Sequence, residues 1–451
     1  MRNITTYLFF FFLVQFVSAQ DSIVVKGEIR EKLQKDAIPN ARVEVMVGEN
    51  QFSTQSNYQG IFCMKLPVTP IYTFEVNHAL YEPISKQVKY TTKYDTLEFI
   101  IEMIPIKEIE GVIVRPGKPA EVFGDSLLSV ADFEILKDGN ILLLAYPKRL
   151  DKGSELLLWD VSNQKILNQL KVPDIAEELV RDYRGNPHVV CEKNIFGIYV
   201  NGEEIKVATI EKEYFETYLS PILDTNKSKM YFSTFNKDYP EFKYFAYDQL
   251  DDTYTKIVSI TDALMMELYR SEYKWADVRT KLWAKNKELE TGIDAEIWVG
   301  AKCFTQSIYY KQLYAPMFHR NDSLFVFDYY KDQLMVFDQF GTQLDSVQIY
   351  HHYHPKETGW KKKLIQDRVT GQIYAVMNLA GYTYIRLVDT KTGLLGDKIQ
   401  LEYRYIEKVE INNNQAYYIY RPFESVQKKF LYSEKLPFHF GESSVPQGDL
   451  H

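Results

Sequence analysis

The chain has 451 residues, a net charge of −8 and no extended basic tract, which argues against an interface held to nucleic acid by phosphate neutralisation. A hydrophobic share of 45% beside 25% charged residues excludes wholesale disorder and a multispan helical membrane protein. The 34 Tyr and 27 Phe are residue types that suit pleated, half-buried surfaces, so strands are expected to dominate.

Residues 1–19 read as a secretory signal. Arg2 supplies the positive start, Leu8 to Val17 is almost unbroken apolar chain, and Val17-Ser18-Ala19 offers small residues before Gln20. The apolar stretch is too short to span a bilayer, and no later run is long enough. The mature chain is therefore expected to begin at Gln20, to carry no transmembrane segment, and to be exported: periplasmic, outer-membrane-associated or secreted. Cys63, Cys191 and Cys303 match neither zinc-ligand nor redox spacing, and are expected as buried small apolar side chains.

From residue 20 to 105, apolar residues alternate at Ile23–Val25, Val43–Val47, Phe62–Leu66, Tyr72–Val76 and Leu97–Ile101, with turn residues between them. The pattern predicts a small antiparallel β-sandwich with no room for an ordinary helix. Three segments carry a resemblance: Val25-Lys26-Gly27-Glu28-Ile29, Ile38-Pro39-Asn40-Ala41-Arg42-Val43-Glu44-Val45, and Ser56-Asn57-Tyr58-Gln59-Gly60-Ile61-Phe62. They resemble the carboxypeptidase-regulatory-like domain, a transthyretin-like sandwich found at the start of envelope proteins in Bacteroidetes-type bacteria. Asn57 stands where that family usually has Asp, and Leu80-Tyr81 replaces a frequent Gly-Tyr. The resemblance implies a structural or binding role and no peptidase residues. Residues 106–120 are read as a linker or a closing strand. Their Ile109–Gly117 segment also looks like the lead-in to the plug of TonB-dependent receptors, which raises an accessory role in outer-membrane transport.

Beyond residue 120 a unit recurs. Strands end in an apolar residue followed by Asp, Asn or Ser at Asp160, Asn201, Asp248, Asp338, Asp389 and Ser433, mostly at roughly 40–50-residue intervals, the length of one propeller blade. A strand precedes each mark, and a strand follows each of the first five. The sixth lacks an outer strand, which a strand near Glu121–Ser129 would supply, closing a six-bladed ring by pairing first residues with last. The repeat Ser323–Gly341 resembles the NHL type. The expected fold is all-β: a β-sandwich, then a propeller over 121–451 with a helical insertion at about 261–310. In that insertion Asp262 caps a helix whose Leu264, Met265 and Leu268 share a face, and Trp275, Val278 and Leu282 repeat at helical spacing. These are expected to hold the insertion down, while Trp275, Trp283 and Trp298 are also candidates for stacking on a sugar or a partner.

Of catalytic signatures there is little. No phosphate loop, zinc-protease or hydrolase-elbow motif occurs, and no cofactor is expected. Asp224–Ser228 begins like a calcium loop but lacks the required Gly and bidentate Glu, and reads as a turn. His351, His352 and His354 form a cluster in which alternation would place His352 and His354 on one strand face as weak metal candidates; an exposed connecting loop is the plainer reading. Arg181 and Arg184 are candidates for the mouth of the ring, against a solvated turn before Gly185. The expected function is a non-catalytic envelope protein binding a protein or glycan through propeller loops. A carbohydrate-active or other hydrolytic enzyme with channel carboxylates is the alternative.

Overall fold

A computed structural model describes residues 22–33, 35–48, 50–78, 80–91, 96–106, 113–305, 312–422 and 427–437. The expected signal segment lies outside these residues. Contacts divide the chain into two compact units, residues 1–107 and 108–451.

The first unit is a sandwich of two sheets. Its seven strands are β1 (Ser22–Glu31), β2 (Arg42–Val47), β3 (Asn50–Gln55), β4 (Ile61–Pro67), β5 (Ile71–His78), β6 (Tyr81–Lys89) and β7 (Thr96–Met103). One sheet runs β4-β1-β7 and the other β3-β2-β5-β6. Alternation decides the core: Val25, Val43, Val45, Phe74 and Ile101 are fully or almost fully buried, while their strand neighbours face outward. The pairing departs from the antiparallel expectation in one place, because β1 and β7 run parallel. Asn57 holds the turn before β4, its Oδ1 accepting from the N–H groups of Gln59 and Ile61 at 2.9 Å each. Gly60 follows at φ +73°, where a Cβ would stand 2.3 Å from the Ile29 carbonyl oxygen, so only glycine fits.

In the second unit six antiparallel sheets follow one another, at residues 129–171, 176–211, 222–261, 317–348, 360–404 and 407–435. The last sheet has three strands of its own and takes its fourth from the start of the unit: Ala120–Phe123 pairs antiparallel with Phe430–Lys435, Phe123 opposite Leu431. Apolar clusters join the first sheet to the second, the third to the fourth, the fourth to the fifth, the fifth to the sixth, and the sixth back to the first. A helical turn at residues 212–219 carries the chain from second to third, its Phe215 ring lying against His188. A ring of four-stranded sheets closed by its own first strand is a six-bladed β-propeller. The lead-in segment makes a second contact, Ile113–Val114 extending the fifth blade in parallel beside Lys398–Ile399.

The six recurring marks fall at or just after the end of the third strand of successive blades, except Ser433, which lies within its strand. At Asp160, Asp248, Asp338 and Asp389 the carboxylate accepts backbone N–H groups two to four residues on, which is why Asp recurs there. The innermost strands were not foreseen. They are Ser129–Ile135, Ala176–Arg181, Ile222–Asn226, Met317–Arg320, Trp360–Gln366 and Glu407–Asn412, and five of the six pair irregularly with the second strand of their blade.

The insertion between the third and fourth blades holds three helices: α1 (Ala263–Glu272), α2 (Val278–Thr291) and α3 (Ala295–Phe304). Asp262 caps α1, accepting from the Met265 N–H at 2.9 Å. The buried face of α1 is Met266 and Tyr269, however, and Leu264 and Leu268 are exposed. Helix α3 lies between the other two, with Met266, Tyr269, Ile297 and Ala301 on one side and Ala284, Ala295 and Val299 on the other. Among the described residues no helix is long and apolar enough to cross a membrane. Of the cysteines only Cys191 is buried; Cys63 and Cys303 are exposed, and all three are free.

Candidate functional site

The innermost strands converge on the axis of the ring, and their charged residues meet there. Glu134, on the first blade, is the hub. Arg181 of the second blade donates to its carboxylate and to the Ile135 carbonyl. Arg368, in the turn after the fifth blade's innermost strand, reaches Glu134 at 3.4 Å and Glu410 at 3.9 Å. Lys408 of the sixth blade contacts Asp132, Glu410 at 3.2 Å and Glu134 at 3.8 Å, and donates to the Phe133 carbonyl at 2.9 Å. First and fifth blades are not neighbours, so a direct contact between them places Glu134 and Arg368 on the axis.

The carboxylates are pinned by backbone as well. Asp132 accepts the N–H groups of Phe133 and Leu179, each at 2.7 Å, which ties the second blade to the first. Burial opposes the charge on Lys408, but the combined attraction of Glu410, Asp132 and Glu134 outweighs it and holds the ammonium pKa above its ordinary value. Arg181 goes the other way: desolvation outweighs Glu134 and draws its guanidinium below the usual range. Lys363 is open to solvent along the channel, yet protein surrounds it closely enough that desolvation lowers its pKa despite Glu410 and Asp132.

A second pair sits on the third and fourth blades. Asp224 Oδ2 lies 3.1 Å from His319 Nδ1, and that bond is the main cause of a raised His319 pKa. His319 Nε2 is buried without a hydrogen-bond partner among the described residues. Asp224 therefore belongs to an innermost strand, and the turn expected at that position begins only after Asn226.

At the ring face that carries the loops between second and third strands, an open cavity of about 550 Å³ is lined by residues of the first, second and sixth blades. Tyr146, Lys148, Arg149, Asp151, Glu177 and Lys429 line it. Arg149 is paired with Asp151 at 2.7 Å, Lys429 with Glu407 at 2.6 Å and Glu177 with Lys212 at 3.6 Å. Among the described residues Lys148 has no such partner, which leaves the cavity one uncompensated positive charge.

The residues singled out in the sequence scatter. Arg181 is on the axis, whereas Arg184 is exposed in the turn whose N–H groups Asp182 accepts. His351 and His352 are not in an exposed loop. His351 Nε2 meets the Tyr329 hydroxyl at 2.9 Å, and burial pushes its pKa down to about 3. His352 Nε2 faces Asp332 at 2.9 Å, a carboxylate that also accepts from the Tyr353 hydroxyl at 2.7 Å. His354 begins a one-turn helix at φ 49°, so the strand alternation that would have aligned it with His352 does not occur. Among the described residues no group of three or more His, Cys, Asp or Glu is placed to hold a metal ion. Trp283 and Trp298 meet edge to face at 6.3 Å, and Trp298 donates to Thr291 at 3.2 Å. Trp275 stands apart from them in solvent.

No family model and no curated protein sequence matches this chain. Among solved structures it is similar to a calcium-binding protein, regucalcin from Agrobacterium tumefaciens, at 9% identity and a TM-score of 0.32, over 72% of this chain and 97% of that one. It is also similar to a chain from a study of two prolyl endopeptidases, at 9% identity and a TM-score of 0.31, over 82% of this chain and 49% of that one. The fold rests on the strand pairing and the closed circuit of sheets rather than on these scores.

Proposed function

We propose that the chain is a non-catalytic binding or scaffold protein of the cell envelope that recognises a protein or glycan through the loop face of its propeller. One observation carries the reading. The charged groups on the axis neutralise one another in a network spanning four blades, while the concave surface at the loop face keeps an aromatic ring and an ammonium with no ion pair among the described residues. Tyr146 offers a stacking surface and Lys148 a counter-charge, which together suit a sugar bearing a carboxylate or an acidic peptide segment. The apolar segment before Gln20 and the resemblance of residues 20–105 to the carboxypeptidase-regulatory-like sandwich support the envelope location and a Bacteroidetes-type source. Titration calorimetry with a galacturonate oligomer and with an acidic peptide tests the site. Binding of either one, weakened about tenfold by Lys148→Glu, is expected from the loss of one charge-assisted contact. Equal affinity of the wild type and the variant would remove the cavity from consideration.

A hydrolytic enzyme is the second reading, and the Asp224–His319 pair favours it, since a carboxylate holding one imidazole nitrogen is how a general base is oriented. Hydrolysis of nitrophenyl glycosides or esters that disappears in His319→Ala would establish it over the binding role.

A further inference from the structure

Helix α2 exposes an apolar stripe that none of the other described residues covers. Trp275 is 83% exposed, Val278 74%, Leu282 63% and Leu289 86%. At 100° per residue the three that belong to α2, Val278, Leu282 and Leu289, fall within one narrow arc, and Trp275 stands exposed just before the helix's N-cap, Asp277, whereas the side of α2 turned to α3 is anchored by Ala284, which is fully buried. The stripe is therefore no leftover of the insertion's own packing, as its helical period first suggests. The four side chains expose on the order of 600 Å², so two such faces together reach the scale that a specific interface requires.

The charges beside the stripe say what covers it. Arg279 and Glu290 border one side, and Lys281 and Glu288 border the other. Each border thus begins basic and ends acidic. When two copies of such a helix pack antiparallel, each border faces its own counterpart in reverse, so Arg279 meets Glu290 of the other copy and Lys281 meets Glu288. The midpoint of 279 and 290 is also the midpoint of 281 and 288, between Ala284 and Lys285. A single two-fold axis therefore satisfies both pairs at once, twice over. Arg279 has no ion pair of its own among the described residues. Glu288 and Glu290 are each held by a lysine on the same helix at 2.6 Å, which fixes them beside the stripe. Lys285 interrupts the apolar arc, but its ammonium is turned to Glu288, leaving its methylene stem for packing.

We propose that the protein forms a two-fold symmetric dimer through antiparallel packing of α2 against α2 of a second copy. A flat anionic membrane is the less suited occupant, because the acidic ends of both borders would face it.

Sedimentation equilibrium of the purified protein is expected to show a monomer–dimer equilibrium with a Kd of ~1–100 μM. Leu282→Asp abolishes it. Arg279→Glu sets like charges opposite each other and weakens it about tenfold, and adding Glu290→Lys to that variant restores the wild-type value to within about threefold. All substituted positions are exposed, and unchanged circular dichroism and Tm of the variants confirm that they fold. A wild type that stays monomeric throughout this range overturns the proposal, as does a dimer indifferent to Arg279→Glu or one that the paired reversal fails to rescue. Sedimentation of a monomeric wild type with phosphatidylglycerol vesicles, lost in Leu282→Asp, likewise overturns it in favour of a lipid surface.

Discussion

Glu134 is almost fully buried and has cations from three other blades around it. Removing the charge in Glu134→Gln leaves Arg181 and Lys408 with too little to balance them, and breaking one partner of a buried ionic cluster typically costs about 3–5 kcal/mol. Urea unfolding is expected to show that loss, whereas Arg184→Gln, exposed in its turn, is expected to change stability by under about 0.5 kcal/mol. Asp367 sets the acid limit of the seam between the fifth and sixth blades. Its carboxylate accepts N–H groups from Val369, Thr370, Asn413 and Asn414 at 2.7–3.3 Å. Burial works against that charge, but the four donors prevail and the pKa lies below the ordinary carboxylate value. A group depressed on folding stabilises above its unfolded pKa of about 4 and loses that contribution as pH falls through its folded value. The midpoint of urea unfolding should therefore drop for the wild type as pH falls below about 4, and Asp367→Ala should be less stable at pH 7 while showing a shallower acid drop.

At the scale of elements, what could be read from the sequence depended on burial pattern. The second and third strands of the blades are apolar runs such as Ile141–Tyr146, Ser323–Asp328 and Glu155–Asp160, with consecutive residues buried, and apolar runs announce themselves. The innermost strands were illegible because an axis lined with charge gives Asp132, Glu134, Lys408 and Glu410 no hydrophobic period, and irregular pairing breaks whatever alternation remains. Edge strands β3 and β6 of the sandwich were hidden for a related reason, being largely solvent-facing and polar. The candidate site was legible only at Arg181, since Glu134 and Arg368 are far apart in sequence and only ring closure joins them. In the insertion the helical period was visible but not its direction: Trp275, Val278 and Leu282 face outward, and α1 turns Met266 and Tyr269 inward. Gly300 of α3 decides that packing, because a Cβ there would stand 2.4 Å from Tyr269 backbone and side chain. Gly300→Val is expected to cost about 1–3 kcal/mol by overpacking and, in hydrogen exchange, to expose α1 and α3 while leaving the blades protected.

For the whole molecule, the strand Ala120–Phe123 is what makes a circle of six open sheets. Phe123 is buried and meets the Trp159 ring edge to face at 5.1 Å, joining the closure to the first blade's apolar core. Truncation before residue 108 is expected to leave the Tm of the ring nearly unchanged, whereas truncation before residue 124 unpairs Phe430–Lys435, lowers the Tm by more than about 5 °C and promotes aggregation through the bared edge. Differential scanning calorimetry and light scattering on the two truncations separate these outcomes.

The pairing of Phe123 with Leu431 also imposes an order in time. A ribosome makes the clasp roughly 300 residues before it makes the eyelet, so nascent chain must wait with five blades assembled or unassembled and one border raw. Completion is withheld until the final strand is released, and a polypeptide threaded through a translocation pore could not finish this protein on the side it is leaving.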